Sequence, residues 1–117
     1  YVVNDKLGTP TYTYDFAKNV LELLKTNYYG VYNMVCDGDC SRYDVAVEII
    51  KLLNKEEKIK IHKVNSEYFS KEYFVNRPRS EKLVNMKLNL RNLNIMGNWR
   101  IRLKEYIENS YFEYIER

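Results

Sequence analysis

GTPTYTYDFAKNVLELL, Gly8 to Leu24, is the stretch from which the rest of the chain can be read. Gly8-Thr9-Pro10 ends whatever precedes it, because glycine and proline punctuate regular structure. From Tyr14 to about Lys25 the apolar residues Phe16, Val20, Leu23 and Leu24 recur at helical spacing. That period predicts an amphipathic helix with those four residues on its buried face and Thr13 as its cap. The same stretch contains Tyr14 and Lys18, four residues apart, a spacing at which a lysine can lower a tyrosine's pKa for proton transfer. Each lies two residues from Phe16, about 200° around the helix, so both fall on the polar side with Glu22. In a lysine-rich chain with 12 tyrosines, about one such pair arises by composition alone. The pair is read as coincidence, and no catalytic residue is assigned.

Outward from this helix, Tyr1 to Asp5 reads as the end of a strand. The chain opens Tyr1-Val2-Val3 without an initiator Met, so it is expected to be a piece of a longer polypeptide. After Gly30, VYNMVC (Val31 to Cys36) is β-prone, and Cys36 to Ser41 reads as a turn carrying Asp37 and Asp39. Ser41 followed by Asp44 resembles a capping box opening a second helix, with Ala46, Ile49, Ile50 and Leu53 buried. KIKIHKV (Lys58 to Val64) alternates, which predicts a half-buried strand with Ile59 and Ile61 inward and Lys58, Lys60 and His62 in solvent. Asn65 to Phe74 reads as a short helix plus loop. Arg77 is extended because it precedes Pro78. A last helix is expected from about Asn98 to Ile115, with Trp99, Leu103, Tyr106, Ile107, Tyr111 and Tyr114 along one side. The total is about three helices and about three short strands in a single small α/β domain, residues 1–117.

Composition narrows the function classes. The chain of 117 residues is 45% hydrophobic and 30% charged, with net charge +3, ordinary for a globular domain. No apolar run is long enough to span a bilayer, so no membrane role is expected. Basic residues are dispersed, so nucleic acid is not an expected partner, although the basic strand Lys58 to Lys63 leaves a weak reading of that kind. Two cysteines and one histidine are too few for a structural zinc site, and a cytoplasmic location with reduced thiols is the default.

Several segments carry a resemblance in chain order. GTPTYTYDFAKNVLELL resembles the Gly-(Ser/Thr)-Pro-Thr-Tyr…Asp-(Leu/Phe)-Ala segment that opens the second half of dTDP-4-dehydrorhamnose reductases, extended short-chain dehydrogenases that act on nucleotide sugars. YGVYNMVCDGDCSRYDVAVEI (Tyr29 to Ile49) is similar to their Tyr-Gly-x-Tyr-His-Val…Gly-x-Cys-Ser-x-Tyr-Glu-Phe-Ala segment. Asn76-Arg77-Pro78-Arg79 with Leu83, Asn85, Lys87 and Leu88 is similar to their Arg-Pro…Leu-x-Asn-x-Lys-Leu run, and NWRIRLKEYI (Asn98 to Ile107) to their closing helix. Two departures, Glu81 where those enzymes often have serine and Asn33 where they have histidine, bear on which sugar nucleotide is bound.

The resemblance implies the C-terminal, sugar-nucleotide-binding lobe of an NAD(P)H-dependent reductase. The Rossmann lobe of the parent, with its cofactor site and Tyr-x-x-x-Lys pair, lies outside this chain. The chain itself is then expected to hold no cofactor and to catalyse nothing alone. The isolated piece is also expected to expose apolar surface and to form a homodimer.

Arg77 and Arg79 are the leading site candidates. In an extended segment, residues i and i+2 project from one side, roughly 7 Å apart. Two guanidiniums so placed can straddle a diphosphate with paired donors. The resemblance puts the diphosphate contact on Arg77. Thr9, Thr11 and Tyr12 follow the first strand and offer hydroxyls to phosphate or sugar oxygens, or else serve as turn and cap residues. Tyr68, Phe69, Tyr73 and Phe74 can cover a base or sugar or simply pack. The alternative function is a non-catalytic interaction or assembly module using the many tyrosines.

Overall fold

The computed structural model describes residues 1–72, 75 and 77–111. They form four two-residue strands, β1 (Val2–Val3), β2 (Leu7–Gly8), β3 (Cys40–Ser41) and β4 (Lys63–Val64). Four α-helices accompany them: α1 (Thr13–Leu24), α2 (Arg42–Leu52), α3 (Met86–Leu90) and α4 (Trp99–Tyr106). A 3₁₀ turn spans Ser66–Phe69, and α4 widens into a π-helical turn over Ile107–Tyr111. The chain divides into two compact units. The first joins Tyr1–Gly8 to Asp39–Lys82; the second joins Thr9–Gly38 to the residues from Leu83 onward.

In the first unit β1 pairs in parallel with β4, Val2 opposite Lys63 and Val3 opposite Val64. β2 pairs antiparallel with β3 and, through Leu7, in parallel with Ser80, so it is the middle of a minimal three-strand patch. The expected capping box forms: Asp44 N–H donates to Ser41 Oγ at 3.1 Å, and Ser41 N–H donates to Asp44 Oδ2 at 2.8 Å. Each bond satisfies an amide that the first helical turn would otherwise leave open. Ala46, Ile49, Ile50 and Leu53 are half-buried. The strand expected over Lys58 to Val64 is only Lys63–Val64, and Ile59 is 46% exposed. The reason is local: Lys58 and Ile59 both donate backward to the Lys55 carbonyl, so the chain is still turning where alternation should begin.

The second unit holds the fully buried Trp99 and Leu88, and its Met34, Cys36, Met96 and Ile107 are buried as well. Within it α1 departs from its apolar pattern. Thr13 is the first helical residue rather than the cap; the cap is Tyr12, in extended conformation and without a side-chain bond. The buried residues of α1 are Asp15 and Asn19, whereas Phe16 is 44% and Leu24 72% exposed. Polar side chains win here because both find partners. Asn19 donates to the Leu93 carbonyl at 2.8 Å and accepts from Ile95 N–H at 3.0 Å, replacing a strand partner for that loop. Asn85 does the same for Val35, accepting from its N–H at 2.9 Å and donating to its carbonyl at 2.7 Å. Buried amides that satisfy both backbone groups avoid the desolvation cost that would otherwise exclude them from a core.

The β-prone run Val31 to Cys36 therefore carries no ladder among the described residues until the Asp37–Asn98 bridge, although Met34 and Cys36 turn inward as alternation requires. Asn98 caps α4 by accepting from Arg100 N–H at 3.0 Å. The last helix thus begins where expected; Tyr114 and Ile115 lie outside the described residues.

Candidate functional site

The Arg77–Arg79 loop is attached to the strand before it. Leu7 N–H donates to the Arg79 carbonyl at 2.9 Å, and Glu81 N–H donates to the Leu7 carbonyl at 2.8 Å. One residue earlier, Lys6 Nζ donates to the Arg77 carbonyl at 2.5 Å. Consecutive residues of the strand segment thus hold alternate carbonyls of the arginine loop. Both arginines are exposed. Among the described residues no carboxylate forms an ion pair with either. An arginine fork has donors to fill and binds phosphate in paired fashion.

The same unit carries a stack of rings. Tyr1 lies 5.0 Å from His62 and 5.0 Å from Tyr68, both nearly parallel, and Phe69 meets Tyr68 edge-on at 5.0 Å. His62 is exposed, as its polar-side position predicts. Tyr73 and Phe74, the other two aromatic candidates, lie outside the described residues. The 3₁₀ turn carrying Tyr68 is anchored by Asp5, whose carboxylate accepts from Ser66 N–H at 2.9 Å and Ser66 Oγ at 2.8 Å. Asp5 and Lys6 were absent from the sequence-based candidates. Their partners are more than sixty residues away, and no local pattern announces such a bond.

Thr9, Thr11 and Tyr12 belong to the other unit, so the candidate residues do not fall in one unit. Thr9 is half-buried and Thr11 exposed, with Thr11 Oγ1 at 3.5 Å from the Thr9 carbonyl. Tyr12 is half-buried; its N–H donates to Cys36 Sγ at 3.3 Å and its ring meets Tyr14 and Tyr106 at 5.9 and 6.5 Å. Burial, then the Glu105 and Asp15 carboxylates, raise its phenol above the ordinary tyrosine value. It therefore stays a hydrogen-bond donor at neutral pH. Burial likewise pushes the Cys36 thiol up, making it a packing group rather than a nucleophile. Lys18 Nζ sits 4.3 Å over the Tyr14 ring, on the exposed side expected for both.

The glycines of this chain do not form a dinucleotide's phosphate cradle. Its four glycines, at positions 8, 30, 38 and 97, are isolated from one another. Gly38 and Gly97 are occupied structurally, one against Trp99 and the other against Arg102. A pyrophosphate cradle needs glycines clustered at one strand-to-helix turn. Among the described residues no group of three or more His, Cys, Asp or Glu side chains could hold a metal ion, and no helix is long and apolar enough to cross a membrane.

Four α-helices and a few short strands among the described residues define a small α/β substrate-binding domain. The chain belongs to the RmlD substrate binding domain family, whose profile matches residues 1–112. It is similar to the solved dTDP-4-dehydrorhamnose reductase of Clostridium acetobutylicum, with 38% identity and a TM-score of 0.83 over 92% of this chain and 37% of that one. It is similar also to the Bacillus anthracis dTDP-4-dehydrorhamnose reductase solved in complex with NADP, with 28% identity and a TM-score of 0.84 over 93% of this chain and 37% of that one. A spore coat polysaccharide biosynthesis protein of Bacillus subtilis, SpsK, is 31% identical over 92% of this chain and 36% of its own length. The chain thus spans little more than a third of the length of these relatives.

Proposed function

We propose that this chain is the sugar-nucleotide-binding lobe, a single domain in function, of a dTDP-4-dehydrorhamnose reductase-like enzyme. Its substrate is a nucleotide-diphosphate sugar bearing a 4-keto-6-deoxy sugar, and the parent draws hydride from NAD(P)H held on a Rossmann lobe outside this chain. When bound, that cofactor supplies the hydride for the sugar carbonyl. This lobe orients the sugar nucleotide and neutralises its diphosphate, with Arg77 leading, Arg79 second, and the hydroxyls of Thr9, Thr11 and Tyr12 serving phosphate or sugar oxygens. The parent acts in the cytoplasm, supplying a deoxysugar precursor for polysaccharide synthesis.

One observation carries this reading: two exposed arginines, unpaired among the described residues, ride on a loop whose carbonyls are tied down by Lys6 and Leu7. Unpaired guanidiniums on a tethered backbone suit a diphosphate, because less of the loop's freedom is lost on binding. Calorimetric titration with dTDP-glucose is expected to give heat that Arg77→Ala abolishes. Heat unchanged by that substitution would discard the arginine assignment.

Exposed Leu21, Leu24, Tyr29, Val31 and Leu90 in the second unit support self-association of the isolated chain. Sedimentation velocity is expected to show a concentration-dependent dimer; a monomer at every concentration would refute it.

A further inference from the structure

The connector between β1 and β2, Asn4 to Lys6, sends its three residues to three different partners. Asn4 N–H donates to the Val64 carbonyl at 3.0 Å, extending the β1–β4 pairing. The Asp5 carboxylate is committed to Ser66. The Lys6 ammonium reaches the Arg77 carbonyl.

This last choice is not the obvious one for a lysine. A flexible ammonium at a half-exposed position is well solvated by water, and fixing it to a neutral carbonyl costs side-chain entropy. Here it also brings a third cation to the backbone that carries Arg77 and Arg79. None of the three forms an ion pair among the described residues. The Lys6 ammonium, although partly offset by the neighbouring Asp5 carboxylate, adds to the positive potential that a polyanion meets at this loop.

Building on the sugar-nucleotide reading above, we propose that Lys6 is the positioning residue of the diphosphate clamp. Its bond to the Arg77 carbonyl sets the backbone from which the Arg77 guanidinium projects. Leu7 fixes Arg79 through the backbone, and its bond is indifferent to the side chain at that position. Lys6 fixes Arg77 through its side chain, so residue 6 alone decides whether the first half of the clamp is held. A long cationic donor is required there; an apolar side chain of equal reach would release the carbonyl while leaving the strand pairing intact.

The test titrates dTDP-glucose, and thymidine as a control lacking phosphates, into the wild-type chain, Lys6→Met, Lys6→Arg and Arg77→Ala, with the urea midpoint of each recorded. Lys6→Met is expected to weaken dTDP-glucose about tenfold, one charge-assisted contact's worth. Its midpoint and its response to thymidine should match the wild type, and Lys6→Arg, which keeps a cationic donor, should bind within about twofold of it. Wild-type affinity in Lys6→Met, with Arg77→Ala defective, would overturn this proposal alone. A lowered midpoint in Lys6→Met with no rescue by Lys6→Arg would do the same, by reducing residue 6 to a structural role. Absent wild-type binding, or an Arg77→Ala variant that binds normally, would overturn the underlying reading and this proposal together.

Discussion

The Asp15 carboxylate lies 2.6 Å from Arg102 Nε, and the same oxygen accepts the Gly97 N–H at 3.1 Å. Arg102 in turn donates to Glu105 at 2.6 Å, which raises its already high pKa. One carboxylate from the first turn of α1 thus ties α4 and the loop before it to the same point. Gly97 is required for this: a Cβ there would overlap the Arg102 guanidinium.

Replacing Asp15 by alanine is expected to destabilise the chain by about 2 kcal/mol. Breaking a fully buried pair costs about 3–5 kcal/mol, but the Arg102 side chain is 28% exposed and regains some water. Urea denaturation of Asp15→Ala against wild type measures this. Asp15→Asn should recover part of the loss, because an amide oxygen can still accept the Gly97 N–H.

Asn85 is 6% exposed and takes both backbone groups of Val35. Asn85→Leu preserves approximate volume yet strands one donor and one acceptor in the core, an expected loss of about 2–4 kcal/mol. Amide hydrogen exchange localises the effect: Val35 N–H, slow in wild type, should exchange rapidly in the variant. An unchanged rate at Val35 would show that the side chain is not its partner.

Gly38 sits at φ +84°, and a Cβ there would lie 3.1 Å from Trp99 Cδ1. Gly38→Ala should therefore cost about 1–3 kcal/mol, part backbone strain and part displacement of the indole. Trp99 fluorescence offers a direct readout, with its emission expected to shift to longer wavelength as the ring moves toward solvent.

Asp5 provides a pH-dependent contribution. Burial pushes its carboxyl up, but the Ser66 hydroxyl and amide bonds and the nearby Lys6 charge outweigh this and lower it below the ordinary 3.8. A lowered folded pKa means stability that is fully present above the unfolded value and lost as pH falls through the folded one. The stability difference between wild type and Asp5→Asn should accordingly stay constant from about pH 7 to pH 5 and shrink below about pH 4. Equilibrium denaturation across that range checks it; a difference flat to pH 2 would exclude the Asp5–Ser66 bond as its source.

The elements legible in the sequence were those whose cause is local. The Ser41–Asp44 capping box, the α2 helix behind it and the start of α4 at Asn98 all follow from contacts within a few residues. Arg77 and Arg79 could be singled out for the same reason, since Pro78 and the spacing of two forks are visible in four letters. α3 was not foreseen, because five residues are too few for a helical period to declare itself. The buried face of α1 was misjudged because apolar periodicity cannot register that Asp15 and Asn19 find partners beyond position 90.

From its letters alone, then, the chain determined an α/β domain and the places where its larger helices begin. Tertiary structure alone decided which face of α1 turns inward, and that Lys6 and Asp5 hold the loops that carry Arg77 and Tyr68. The physical reason is that apolar burial is written in a residue's own side chain, whereas the worth of a buried polar atom depends wholly on a partner that folding alone brings to it.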